Sequence, residues 1–525
     1  MSQQAAPTDE TSPQWWRWPR FAPSVVVAGG LPLIAVLLLY LLDVPLGRPG
    51  FVYLYSELAP IYLLRGVPIL VLLAGLVVAL QRIGCADERR VRRALAAGAV
   101  VYFLIALWTY FEPPGYRGRY LFELESPSHE GAFVLEARLL RGGMLKARDE
   151  PVASLSEYLR HFPLLLCRTP EQMRGTRVLS NPPGMTLLAR DVSELFAAYP
   201  PLARAFERVL PGAGSADPGI ERWFAEDLFL AGGLHLLWIV SIFPAYGLAR
   251  LWLPRVPAAV LAIASVFNPA TVNFTPGKDP AQLASVMLLT YAWFAAHVRR
   301  RWDLGLLSGI VLICGSILSL VHIWIAVVVG AATLWDAARN PQRRRNVLFN
   351  CVLPATIGAV LVVTLAWLAV GWNLPATFEA VRRRYLEIQG QIIARPLAWN
   401  LVGAGLFLLF AGPALWVVSY WARRARGGDD VGRLGKRLVI CTATVLLYTY
   451  FFANNSETPR LWIPFIPLLL LGLALRVPLF RSPGPQTARL LAALLIVQVT
   501  VTLAHRALLD VRETEMRLTT GRGYF

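Results

Sequence analysis

The chain has 525 residues, 56% of them hydrophobic and 16% charged, with a formal net charge of +18. Soluble domains carry about 25% charged residues. Here the apolar excess is gathered into long runs, which excludes a soluble globular class and the short alternating strands of a membrane β-barrel. The positive charge falls in short loops between apolar runs, a signature of membrane topology and not of nucleic-acid binding.

Residues 1–20 are polar and carry Trp15, Trp16 and Trp18. No small-residue cleavage site follows the first apolar run, so no cleavable leader is expected, and the tryptophans suit an interface belt. Apolar runs long enough to be spans lie at about 24–42, 66–82, 94–111, 228–248, 256–274, 280–298, 304–319, 320–335, 347–371, 399–421, 438–453, 461–475 and 489–505.

The stretch 304–335 reads as one long helix or two short ones. The clusters Arg299–Arg301 and Arg343–Arg345 flank it, and both belong in the cytoplasm. The number of crossings between them must then be even, which predicts two short helices meeting near Ser319–His322. Arg89, Arg90, Arg92, Arg93, Arg423, Arg424 and Arg426 also fall inside. The expected fold is therefore an all-α polytopic membrane protein with about thirteen transmembrane helices, in a plasma (inner) membrane. Its N-terminus is cytoplasmic and its C-terminus extracytoplasmic.

Three parts follow: the tail and first three spans (1–111), an extracytoplasmic insert (112–226), and the remaining spans (227–525). The insert holds 14 Lys/Arg and 15 Asp/Glu. It reads as helical, with Phe133, Ala137 and Leu140 on one face and Leu188, Val192, Leu195 and Phe196 on another. Pro200-Pro201 then breaks the pattern. No internal repeat is visible, which weighs against inverted-repeat transporters. Cys85, Cys167, Cys314, Cys351 and Cys441 form no CxxC pair, hence neither a disulfide framework nor a zinc site. No cofactor is expected, and a divalent metal requirement is open.

Five polar segments at span ends carry the chemistry. Glu130, beside His129, opens the insert; it reads as a solvated carboxylate, a favourable first-turn glutamate, or a base at the membrane surface. Asn181-Pro182-Pro183-Gly184 is a rigid turn before an amphipathic helix. Thr275-Pro276-Gly277-Lys278-Asp279-Pro280 is an outside turn whose Lys278 and Asp279 are either an anchor or a site for phosphate or sugar hydroxyls. Arg382, Arg383 and Arg384 sit in the outside loop 372–398 against the charge rule, where they meet lipid headgroups or hold a lipid phosphate through guanidinium forks. Glu457-Thr458-Pro459-Arg460 begins a late span. His235 and His322 lie within apolar runs, where an ionisable group is a functional candidate and also an ordinary packed histidine.

Taken together, these segments resemble the GT-C superfamily of membrane glycosyltransferases, which includes protein O-mannosyltransferases and the transferases that add aminoarabinose to lipid A. The matching segments are His129–Phe133, Asn181–Gly184, Pro276–Pro280 and Arg460–Pro464, and the resemblance covers about residues 94–475. His129 stands where that family has an aspartate, Asn181 where it has a histidine, and two additional spans precede the insert; Glu112, Glu123 and Glu125 are alternative carboxylates.

The resemblance implies inverting transfer of a sugar from a polyprenyl-phosphate donor to an extracytoplasmic acceptor, with membrane lipids around the site. Glu130 would be general base and His129 its helper. Asn181, Lys278, Asp279, Arg382–Arg384, Glu457 and Arg460 would bind substrate. A transporter or flippase of lipid-linked sugars, or a non-catalytic protein of the same fold, are the competing classes.

The topology predicts that a reporter fused after Gly212 reads extracytoplasmic. A cytoplasmic reading, by alkaline phosphatase and green fluorescent protein fusions, would move every proposed site residue to the wrong side.

Overall fold

The computed structural model describes residues 22–42, 44, 46–48, 51–55, 59–83, 87–109, 130–147, 150–152, 154–165, 181–209, 218–338, 340–391, 397–425, 429–452, 458–481 and 485–515. They are helical almost throughout. Among the described residues six helices are long and apolar enough to cross a membrane: Pro23–Leu41, Ile61–Arg82, Arg222–Ala249, Lys278–Arg299, Pro341–Val370 and Thr487–Leu508. A seventh is the pair Gly403–Ala411 and Pro413–Arg424, bent by 94°.

The other expected crossings fall on shorter or charged helices. Arg255–Val266, Trp302–Leu318, Val321–Ala337 and Ile463–Arg476 are apolar but short. Glu88–Thr109 and Asp430–Phe452 begin with charged turns. Their apolar parts fall short of the roughly 20 residues that a hydrocarbon core requires. Helix length and composition thus account for six or seven of the thirteen expected spans.

The stretch 304–335 is divided, as the parity of the basic loops requires. Trp302–Leu318 ends at Ser319, which is extended (φ −161, ψ 134), and Val321–Ala337 begins anew. The all-α expectation needs one amendment. Leu46–Arg48, Phe51–Tyr55 and Leu509–Glu515 form a small antiparallel sheet. The sheet joins the segment after the first helix to the segment after the last, so both lie on one side of the helix layer.

The described parts of the insert pack together as a cap. Phe133 and Ala137 of Gly131–Arg141 meet Met185, Ala189 and Phe196 of Gly184–Ala198 over Trp223 and Phe224. The buried face of the second helix is therefore Met185, Ala189, Ser193 and Phe196. Leu188, Val192 and Leu195, expected on that face, are only half-buried. A second apolar cluster joins Leu140, Tyr158 and Phe162 of the insert to Trp372, Leu374 and Val381.

Small residues set how closely the helices approach. A Cβ at Gly305 would lie 2.1 Å from the Asn350 carbonyl oxygen, and one at Gly309 would lie 1.8 Å from that of Ala355. Gly358 is equally tight against the Leu306 carbonyl, at 2.3 Å. Gly305 and Gly309 are one helical turn apart, the spacing through which membrane helices pack backbone to backbone.

Gly309→Ala should therefore lower the melting temperature in detergent. Gly330→Ala, where nothing lies within 4 Å, should leave it unchanged or raise it, because alanine favours helix by about 1 kcal/mol. Equal melting of the two variants would show that the Trp302–Leu318 and Leu353–Val370 helices do not interlock.

Candidate functional site

Glu130 is the N-cap residue of Gly131–Arg141, yet its side chain makes no capping bond. It turns instead to the loop between Pro269–Asn273 and Lys278–Ala281, where its Oε1 accepts the Lys278 backbone N–H at 3.0 Å. Gly277 is required by the tight turn beneath it. A Cβ there would stand 2.7 Å from the Phe274 carbonyl oxygen and 3.7 Å from the Glu130 Oε1. Glu130 is 1% exposed, so a first-turn carboxylate facing water is not what the fold builds.

The two side chains of the Lys278-Asp279 pair go separate ways. Lys278 Nζ donates to Asn181 Oδ1 and lies 5.5 Å over the Phe133 ring. Asp279 accepts the Arg460 Nε through Oδ2 and the Gln282 amide through Oδ1 at 3.2 Å. Arg460 also reaches Glu130, with a guanidinium nitrogen 3.7 Å from Oε1.

Asn181 is held in register because Gly184, three residues on, presses against the Ile317 carbonyl; a Cβ there would come within 2.5 Å. Four distant stretches of sequence thus meet in one buried cluster of two carboxylates, one guanidinium, one ammonium and two amides. Lys278, Asp279, Gln282 and Arg460 are all buried.

Arg382 and Arg383 pair with Glu379 and not with the cluster. The expected outside loop 372–398 is helical over Leu374–Gln391. At about 100° per residue, Arg382 and Arg384 therefore point about 200° apart and cannot clasp one phosphate. Arg382 forms a bidentate pair with Glu379, both contacts 2.8 Å, and Arg383 lies 3.8 Å from the same carboxylate. The Arg382 hydrogen bonds hold the Glu379 carboxyl below its ordinary range. His129 and Glu457, with the alternative carboxylates Glu112, Glu123 and Glu125, lie outside the described residues.

His235 packs among the rings of Tyr102, Phe103 and Trp238. Gln282 is the cluster member that sequence reading missed. Its signal is its position three residues after Asp279, one helical turn on, at the start of an apolar helix. Among the described residues no group of three His, Cys, Asp or Glu side chains could hold a metal ion. Compared with models of protein families, with curated proteins and with solved structures, the chain matches none.

The cluster divides cleanly from the exposed arginines by energetics. Removing one partner from a buried charge network costs about 3–5 kcal/mol, because the remaining charges stay desolvated. Arg460→Leu strands Asp279 and Glu130 in this way, so a loss of that size is expected in detergent-phase unfolding, monitored by tryptophan fluorescence. Arg382→Leu should leave the transition where it is. An unmoved transition for Arg460→Leu would mean that its guanidinium is solvated in the folded protein.

Proposed function

We propose that the chain is a membrane glycosyltransferase that moves a sugar from a polyprenyl-phosphate donor to an acceptor hydroxyl on the extracytoplasmic side. The observation that carries this reading is the convergence of Glu130, Asn181, Lys278, Asp279 and Arg460. A carboxylate and two cations within one buried cluster are what a displacement at a sugar carbon requires.

In this reading Glu130 takes the proton of the acceptor hydroxyl. The acceptor oxygen bonds to the anomeric carbon as the carbon–oxygen bond to phosphate breaks, and a single displacement inverts that carbon. The polyprenyl phosphate leaves with the added negative charge. Lys278 is the cation best suited to meet it. Its ammonium is paired with a neutral amide, whereas Arg460 is engaged by two carboxylates. Trading an amide for a phosphate strengthens the hydrogen bond by adding charge to it. Arg460 then acts by fixing Asp279 and Glu130 in place, and Arg382–Arg384 are assigned to ordinary headgroups.

A second reading, passage of a lipid-linked sugar through the membrane, draws on the 94° break at Gly412 and the break at Ser319. Discontinuous helices are the usual substrate sites of transporters. Glu130→Gln separates the two readings, since a glutamine still accepts the Lys278 N–H but takes no proton.

Under the transferase reading this variant keeps donor binding and loses turnover by about a hundredfold or more, measured with a short-chain polyprenyl-phosphate sugar in detergent. A variant that turns over or transports at the wild-type rate would remove Glu130 from the chemistry and favour the transporter.

A further inference from the structure

A second polar pair lies one helical turn beyond the cluster and is not used by it. Ser285 Oγ is 2.8 Å from His322 Nε2, and His322 Nδ1 is 2.9 Å from the Ser319 carbonyl oxygen. A carbonyl only accepts, so Nδ1 of a neutral His322 must carry the ring proton. Nε2 is then a bare acceptor.

The Ser285 hydroxyl has two acceptors in reach, Nε2 and the Gln282 carbonyl at 2.9 Å. A bare Nε2 at 2.8 Å has no other donor among its hydrogen bonds, so the serine proton satisfies it. Gly315 gives the imidazole the room to sit there, since a Cβ at that position would lie 2.2 Å from its Cδ2. Serine, histidine and an orienting acceptor on the far nitrogen are the parts of an activated nucleophile.

From this geometry we infer that Ser285 is a nucleophile with His322 as its base, acting on a membrane-soluble carboxylic ester. The break between Trp302–Leu318 and Val321–Ala337 is what brings His322 to Ser285, and it leaves Ser285, Ser319 and Leu320 half-exposed while His322 is buried. The electrophile must therefore arrive through this partly open face of a membrane helix, which selects an ester with a long acyl chain.

Ser285 Oγ bonds to the ester carbonyl carbon and its proton passes to His322 Nε2. The carbon–oxygen bond to the alcohol breaks, and the alcohol leaves with that proton. The acyl group stays on Ser285 until water or a second alcohol takes it by the same steps in reverse. This activity stands apart from the proposed sugar transfer, since neither Ser285 nor His322 is assigned a part in it.

The test is reaction of the purified full-length protein in detergent with an alkyl fluorophosphonate, in which the serine–phosphorus bond forms and fluoride leaves. Modification of Ser285, located by peptide mass spectrometry, is expected. His322→Gln should slow it by about a hundredfold or more, and Ser285→Ala should abolish it. Wild-type protein with an intact thermal transition but no modification at Ser285, or modification only elsewhere, would overturn the inference and leave the pair as a tie between two helices. Modification of His322→Gln at the wild-type rate would overturn the base. Should that variant fail to fold, the wild-type result alone decides.

Discussion

One guanidinium buried between two carboxylates ties the insert to the helices around it. Arg460 comes from the start of a late helix, Asp279 from the turn before Leu283–Arg299, and Glu130 from the first residue of the insert's cap. A buried charge is tolerated only when its partners are in place. The three segments, with Lys278 lying 148 residues from Glu130 and Arg460 lying 181 from Asp279, therefore have one arrangement in which none is left desolvated. That arrangement seats the cap on the membrane helices and fixes which way Glu130 faces. Apolar contact alone, such as Phe133 against Met185 and Trp223, would hold the cap down but allow it to slide.

Helix breaks around this cluster create a second constraint, because a backbone group freed inside a membrane has no water to turn to. The break before Pro269–Asn273 is closed by Asn268, which accepts the Thr271 N–H while the Thr271 hydroxyl accepts the Asn268 N–H. The break at Gly412 brings Pro269 close to Gly412 and frees the Ala414 N–H. Gln498, buried in the last helix, accepts that N–H at 2.9 Å and donates to the Phe267 carbonyl at 3.3 Å. One amide thus satisfies both breaks. The turn that carries Lys278 and Asp279 follows directly from the first of them, so its position is inherited from Gln498 as well as from Arg460.

Much of the cluster was legible in the sequence for one physical reason: a charge at the end of an apolar run is conspicuous. Lys278, Asp279 and Arg460 stand out for that reason, Glu130 stands out as a carboxylate opening the polar insert, and Asn181 stands out through the Pro-Pro-Gly turn that follows it. The divided helix at Ser319 was legible from the parity of two arginine clusters. The arginines at 382–384 lie on a helix and not in the expected loop. The period of Leu374, Phe378 and Val381, which packs the helix on the insert, is the signal that was passed over. The span count was not legible either. Hydropathy reports how apolar a run is, not how long its helix is, and helices such as Ile463–Arg476 are apolar but short. The sheet formed by Phe51–Tyr55 and Leu509–Glu515 pairs segments from the two ends of the chain, which no local pattern reveals.

The charge balance of the cluster bears on how a ligand could enter it. Glu130 and Asp279 offset Lys278 and Arg460, so the site is neutral and stays buried without a ligand. A phosphate brings additional negative charge into that balance and is tolerated only where a cation has little to give up. Asp279 cannot release Arg460 without giving up a buried ion pair, and Glu130 is held by the Lys278 backbone N–H. Lys278 pairs with a neutral group, Asn181, so moving its ammonium to a phosphate gives up one charge-assisted hydrogen bond of about 1.5–3 kcal/mol and no ion pair. Its long, flexible side chain can swing toward a ligand while its backbone keeps hold of Glu130. The same residue thus fixes the carboxylate through its main chain and remains adaptable through its ammonium, so a phosphate could be accepted without dismantling the interactions that seat the cap.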